Sequence, residues 1–177
     1  PANATDYLQA GASHVIVTSY VFHNGQVDLN RLQEMVSAVG AQHLVLDLSC
    51  RKRGGRYYVV TDRWQVFTEF EVNMTNLILL AEYCAEFLIH AVDVEGKRQG
   101  MDEELITQLA KIAPCPVTYA GGASELADLE RVKQLGHGWV DLTIGSALDI
   151  FGGNIPYREV VAWQRAQQYQ SDTNQTL

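Results

Sequence analysis

Leu44-Val45-Leu46-Asp47-Leu48-Ser49 is a short run in which every second residue is leucine. Side chains alternate along a strand. Leu44, Leu46 and Leu48 would therefore share one face, and Val45, Asp47 and Ser49 the other. Val140-Asp141-Leu142-Thr143-Ile144-Gly145 repeats the pattern, with Val140, Leu142 and Ile144 opposite Asp141, Thr143 and Gly145. One face is apolar and suits helix packing, while the other mixes small and polar groups. In an open doubly wound sheet helices cover both faces, so polar residues gather at strand ends. In a barrel one face looks inward, and its upper layer can be polar. The alternation favours a barrel interior. In Phe87-Leu88-Ile89-His90-Ala91-Val92-Asp93-Val94 the same reading sets Leu88, Val92 and Val94 against Ala91 and Asp93, with His90 on the apolar side.

Working outward, the theme of a short apolar run followed by a helical pattern occurs five times. His14 to Ser19 and Pro116 to Ala120 complete the set of runs. Runs alternating with helices indicate βα units and a parallel sheet. Five units fall short of the eight that close a (β/α)8 barrel, so the chain is expected to supply part of one. Asp28 is placed to cap a helix over Leu29 to Val39, and Asp102 one running to Ile112. Thr75 or Asn73 would open a helix reaching Glu86, and Ser124 one reaching Leu135. Such side chains accept hydrogen bonds from first-turn amides. Gly40 and Gly136 stand where left-handed C-caps are expected, and Thr5 to Ala10, closed by Gly11, reads as the end of a helix. No linker divides the chain. Residues 1–163 read as one barrel portion and 164–177 as a polar tail that frays.

Composition bounds the function. Of 177 residues, 47% are apolar and 19% charged, an ordinary globular balance. No apolar run approaches the roughly 18 residues a membrane helix needs, so no membrane partner is expected. The chain opens on Pro1-Ala2-Asn3-Ala4, without an initiator Met or the pattern of a signal peptide. The expectation is a start inside a larger fold, or a processing boundary. The formal net charge of -8 argues against nucleic acid. It does not argue against a small anion, because seven of the 13 basic residues cluster at Arg51, Lys52, Arg53, Arg56, Arg63, Lys97 and Arg98. Cys50, Cys84 and Cys115 lack metal-site spacing, and a reducing cytosol is their simplest setting. Cys50 reads as a packed thiol rather than a nucleophile.

Four features carry chemistry. In Tyr119-Ala120-Gly121-Gly122-Ala123-Ser124 a strand ends in two glycines before a helix, and Gly145-Ser146 follows the next strand in the same way. Glycine lets backbone approach a ligand, and free amides at such junctions favour an anion. Two neighbouring junctions of this type make a phosphate cradle, as after the last two strands of a barrel. Thr18 and Ser19 end the first run, where their hydroxyls either bind phosphate oxygens or cap the local turn. Asp47 places a carboxyl in an apolar strand, which is costly unless it is paired or functional. Asp93 has the same placement one unit on and is either functional or satisfied by backbone amides. Arg51 to Trp64 holds the turn Arg53-Gly54-Gly55-Arg56, a basic hairpin suited to covering a site. Trp64 either stacks on a planar heterocycle or packs at the hairpin base.

Leu46-Asp47-Leu48-Ser49-Cys50-Arg51-Lys52, Phe87 to Gly96, Tyr119-Ala120-Gly121-Gly122-Ala123 and Gly145-Ser146-Ala147-Leu148-Asp149-Ile150-Phe151-Gly152-Gly153-Asn154 together resemble one family. It is that of the eukaryotic-type phosphoribosylformimino-5-aminoimidazole carboxamide ribotide isomerases of histidine biosynthesis. The resemblance spans nearly the whole chain, short of the polar tail, and matches the family's C-terminal part. It implies a (β/α)8 barrel, a cytoplasmic enzyme without metal or organic cofactor, and a substrate with a phosphate at each end. The reaction implied is an Amadori rearrangement of an aminoaldose to an aminoketose. An acid opens the ribose ring and a base removes the C2 proton. Gly121, Gly122, Gly145 and Ser146 would hold one phosphate, and Thr18 and Ser19 the other. Asp47 and Asp93 are the candidate catalytic carboxylates, with Arg51 and Trp64 on the substrate.

Two departures follow from the resemblance. The resemblance implies about three further upstream units, one of them bringing a catalytic aspartate, and these are the expected partner of this chain. This chain alone is therefore expected to be inactive. The bacterial branch carries its fifth-strand aspartate where this chain has Ser49, and its sixth-strand threonine falls near Ala91. The related cyclase of the same pathway shares the double phosphate site, but the Ile150 to Asn154 run speaks against it. A non-catalytic phosphosugar-binding half-barrel is the reading from a different class.

Overall fold

A computed structural model describes residues 1–97 and 100–174. Arg98, one of the clustered basic residues, lies outside the described residues, as do residues 175–177 of the tail. In chain order the helix α1 (Ala2–Gln9) leads into the strand β1 (Val15–Val17), and a small hairpin, β2 (Phe22–His23) with β3 (Gln26–Val27), precedes α2 (Leu29–Val39). Then come β4 (Leu44–Asp47), β5 (Cys50–Arg53), β6 (Arg56–Thr61), β7 (Val66–Glu71), α3 (Met74–Ala81) and β8 (Glu86–His90). The chain continues through α4 (Glu103–Ile112), β9 (Val117–Ala120), α5 (Ala127–Leu135), β10 (Val140–Thr143) and α6 (Tyr157–Asn174), so α6 extends well past the expected start of the tail.

The central sheet is parallel, in the order β1-β4-β8-β9-β10. Each strand pairs with the next βα unit's strand, and the order never reverses. A doubly wound sheet reverses at a switch point, and no reversal occurs among the five described strands. The register Leu46↔Phe87, Asp47↔Leu88 and His90↔Ala120 decides the faces. Leu44, Leu46, Phe87, Ile89, Val117 and Tyr119 are buried against the helices in one large core. Apolar burial of this kind stabilises by about 25 cal/mol per Å². Ile16, Val45, Asp47, Leu88, His90, Thr118, Asp141 and Thr143 share the opposite face. That face is open at its margins, where Ile16 is 59% exposed and Asp141 and Thr143 are exposed.

The expected alternation holds in β4 and β10 and fails in β8. His90 lies with Leu88 on the inner face, not among the helix-packing residues. The physical reason is that β8 ends at His90, and turns begin at Val92, so the period-two reading through Val94 counted residues outside the strand.

The helix caps divide similarly. The Asp28 carboxylate accepts from the amides of Asn30 and Arg31, and the Asp102 carboxylate accepts from Leu105. Asn73 caps α3, accepting from the Asn76 amide, but that helix ends at Ala81, because the residues up to Glu86 turn back to begin β8. Ser124 does not open α5. The buried Asp128 carboxylate, one turn inside, instead accepts from the Ser124 and Glu125 amides at 2.7 and 3.1 Å. Gly40 has positive φ, as a C-cap glycine should, whereas Gly136 is right-handed at φ -82. Past α5 the left-handed positions fall on His137 and Gly138.

The basic hairpin forms as read. β5 and β6 are antiparallel across Gly54 and Gly55, both at positive φ. β7, which no periodicity had marked, adds a third strand. The sheet is rooted in the main core through Tyr57, Val59 and Phe70, and the Tyr57 hydroxyl donates to Asp102 at 2.8 Å.

Candidate functional site

The residues singled out from the sequence follow the C-terminal ends of the parallel strands: Thr18 after β1, Asp47 and Ser49 at β4, Gly121 after β9 and Gly145 after β10. They fall around two cavities. The larger, of about 480 Å³, is lined by Thr18, Ser19, Asp47, Ser49, Trp64 and His90, together with the β6 end and its turn. The smaller, of about 20 Å³, is lined by Gly121, Gly122, Gly145, Ser146, Thr143 and Glu95.

In the larger cavity the carboxyl of Asp47 is oriented by a relay. Trp64 Nε1 donates to Ser49 Oγ at 3.2 Å, and Ser49 Oγ donates to Asp47 Oδ1 at 3.0 Å. Burial pushes the Asp47 carboxyl above the usual carboxylate range, against the partial opposition of the Ser49 hydroxyl and of His90. Burial disfavours the charged form of a carboxyl. The Trp64 ring reaches the cavity from an unusual backbone. Asp62, Arg63 and Trp64 have φ of 50, 54 and 68 in succession. Left-handed backbone costs a non-glycine residue about 1–2 kcal/mol, and such runs persist only where surrounding contacts over-determine them. Here the contacts are the bond to Ser49 and an edge contact of the Trp64 ring with the His90 ring, centroids 5.1 Å apart.

In the smaller cavity the glycines are required. Gly121 has φ +119, and a Cβ there would sit 2.8 Å from Ala91 O. Gly122 has φ +76, and its Cβ would sit 2.2 Å from Gly100 O. Gly145 meets no such obstacle, and its junction faces the same space. The two junctions therefore converge, with Asp128 fixing the amides of Ser124 and Glu125 just beyond the first.

Asp93 and Arg51 sit elsewhere. Neither lines either cavity. Arg51 Nε donates to Asp93 Oδ1 at 2.8 Å, and the Lys52 amide donates to Asp93 Oδ2 at 3.0 Å. Burial alone would raise the Asp93 carboxyl, but the Lys52 amide and the Arg51 guanidinium outweigh it, and the group is held below the usual range. Asp93, expected as a catalytic carboxylate, and Arg51, expected on the substrate, thus lie outside the two cavities. Their charges are spent on each other, tying β5 to the turn after β8. Cys50 is buried, and burial pushes its thiol up, as suits a packed rather than reactive sulfur. Sequence reasoning missed His90 as a cavity residue and Glu95 altogether. His90 Nε2 lies 2.9 Å from Glu95 Oε2. The signal for both was a histidine closing an apolar strand five residues ahead of an acid.

Among the described residues no group of His, Cys, Asp and Glu is arranged to hold a metal ion, and no helix is long and apolar enough to cross a membrane.

Successive βα units on a parallel sheet, with their polar groups collected at the carboxyl ends of the strands, define an α/β protein whose site follows the general rule for such sheets. A family model described as "Histidine biosynthesis protein" matches residues 1–156, and the chain belongs to that family. It is similar to the chloroplastic 1-(5-phosphoribosyl)-5-((5-phosphoribosylamino)methylideneamino) imidazole-4-carboxamide isomerase of Medicago truncatula, at 56% identity over 93% of this chain and 53% of the relative. The isomerase of the same name from Neurospora crassa is 48% identical over 94% of this chain and 66% of its own length. That from Yarrowia lipolytica is 47% identical over 91% and 64%. The chain thus spans between about half and just under two thirds of the length of these relatives.

Proposed function

We propose that this chain is the phosphate-binding, acid-bearing portion of the isomerase its relatives are named for, which performs an Amadori rearrangement of an aminoaldose to an aminoketose in histidine biosynthesis. The observation that carries the reading is the juxtaposition of an oriented, burial-perturbed carboxyl at the β4 end with two glycine junctions that share one space. A substrate with two phosphates fits this layout. The β9 and β10 junctions, through Gly121, Gly122, Gly145 and Ser146, take one phosphate, and Thr18 and Ser19 take the other. Trp64 stacks on the heterocycle between them. Asp47 is the acid that protonates the ring oxygen as the ribose opens. Burial raises its pKa above the ordinary carboxylate range, the direction that suits a general acid.

In this reading residues 1–163 form about the last five units of a single (β/α)8 barrel, with 164–177 as a polar appendage. About three further units close the barrel and bring the base that removes the C2 proton. Their strands cover the exposed inner face at Ile16, Asp141 and Thr143. The three free cysteines suit a reducing compartment, cytosol or plastid. Asp93 and Arg51 serve as an anchor for the hairpin rather than as proton carriers.

Calorimetry and turnover test this together. The 177-residue chain is expected to bind the bis-phosphorylated aminoaldose without converting it, and the longer parent to convert it. Conversion by the short chain, or no binding by either, overturns the reading.

A further inference from the structure

The glycine cradle is smaller than the ligand proposed for it. Its cavity of about 20 Å³ holds little more than one water. What fills the remaining space is the turn after β8, whose Glu95 and Gly96 line the cavity. The Glu95 carboxylate is itself an oxyanion, so groups suited to phosphate suit it as well. It is held from the other side. Glu95 Oε2 lies 2.9 Å from His90 Nε2, and His90 lines the larger cavity with Asp47. The contact is close without being a good hydrogen bond. His90 Nε2 is buried and has no hydrogen-bond partner among the described residues. The turn is fastened at Asp93 by Arg51 and the Lys52 amide, and is loose only within its own backbone. Val94 N to Ala91 O, Glu95 N to Val92 O and Lys97 N to Val94 O are all 3.3 Å, just beyond the usual range for N–H···O bonds. Gly100 N reaches Gly122 O at 3.2 Å.

We propose that Glu95 is a displaceable plug of the glycine cradle, anchored by His90, and that an oxyanion entering the cradle expels its carboxylate and hands His90 Nε2 to the Asp47 cavity. The inference rests on the cradle being an oxyanion site, and goes beyond it by coupling that site to the proton-transfer site. No bond is made or broken. An ion-pair contact is exchanged for anion binding at one end, and a ring nitrogen is freed at the other. His90 is a positioning residue for Glu95 when the cradle is empty, and becomes available to substrate only when the cradle is filled.

The test uses inorganic phosphate and the full 177-residue chain, with Glu95→Gln as the variant and thermal unfolding to verify its fold. Calorimetry is expected to show phosphate binding about fivefold tighter in the variant, the size of effect expected from removing one ion-pair competitor. In the native chain the His90 Nε2 resonance is expected to move with phosphate occupancy and to saturate with the same dissociation constant. If the native chain binds phosphate and the variant binds it equally or more weakly, the plug is overturned while the cradle stands. If the His90 resonance stays put while phosphate binds, the coupling is overturned. If neither protein binds phosphate, the cradle and the plug fall together.

Discussion

At the residue scale, two carboxyls that look alike in sequence have opposite electrostatic fates. Asp47 is raised by burial, so its neutral form is the one the fold prefers. The stability it contributes is present below the ordinary carboxylate pKa and lost as pH rises through the raised one. Asp47→Asn keeps an acceptor for Ser49 and removes the charge. We expect the variant to be more stable than the native chain at about pH 7, by on the order of 1 kcal/mol or less, and the two to converge at about pH 3. Urea midpoints at the two pH values measure this, and a variant that is less stable at neutral pH speaks against the burial argument. In the longer parent the same change should lower turnover by about 100-fold or more. Ser49→Ala breaks the relay without touching the acid, and a smaller loss is expected. A loss confined to the serine variant would transfer the acid's role away from Asp47. Asp93 runs the other way. Its carboxyl is lowered by Lys52 and Arg51 against its own burial, so its contribution is present above the ordinary pKa and lost as pH falls through the lowered one. Because the pair with Arg51 is about two-fifths exposed, Asp93→Asn should cost less than about 1 kcal/mol near neutral pH, and nothing in acid. Equal cost at both would show the carboxylate's charge to be irrelevant.

At the element scale, what could be read from the sequence depended on whether a signal was local. Asp28, Asp102 and Asn73 cap by reaching their own helix's first amides, so composition at one spot sufficed. The Gly54-Gly55 turn is equally local, since both residues must adopt positive φ. Asp128 was not legible, because it caps backward from inside α5 to the amides of Ser124 and Glu125, where a serine was already in the expected place. His90 was not legible because Phe87, Leu88 and Ile89 are apolar on both faces. Only pairing with neighbours at Asp47↔Leu88 and His90↔Ala120 sets its side. The left-handed run at Asp62, Arg63 and Trp64 has no glycine to announce it. Asp128 gives an element-level prediction. Its carboxylate is buried and accepts two backbone amides of the β9-to-α5 junction, charge-assisted bonds worth about 1.5–3 kcal/mol each. Asp128→Ala should destabilise by about 2–4 kcal/mol, some of the loss being relieved by water entry. It should also weaken phosphate binding by slackening Gly121 and Gly122. A variant that loses stability yet binds phosphate as before would uncouple the cap from the cradle.

At the scale of the whole molecule, the sheet has two open edges among the described residues, on β1 and on β10. Its inner face carries the acid pocket in the middle, at β4 and β8, and is bare at the margins, where Ile16 and Asp141 stand exposed. An isoleucine 59% exposed on the face of a sheet forgoes burial worth about 1.5–3 kcal/mol. Unpaired strand edges are also the least protected amides of any sheet. If three further βα units close the barrel, they must pair with β1 on one side and β10 on the other, leaving β4 and β8 as they are. Supplying those units in trans, as the part of the Neurospora crassa relative outside its match to this chain, should therefore slow amide exchange selectively. The amides of β1 and β10 are expected to slow by about tenfold or more, those of β4 and β8 little, and the complex to run as a one-to-one heterodimer. Uniform slowing across all five strands would mean general stabilisation rather than closure. No change at the edges, with the two polypeptides eluting separately, would mean that the sheet is not waiting for those strands at all.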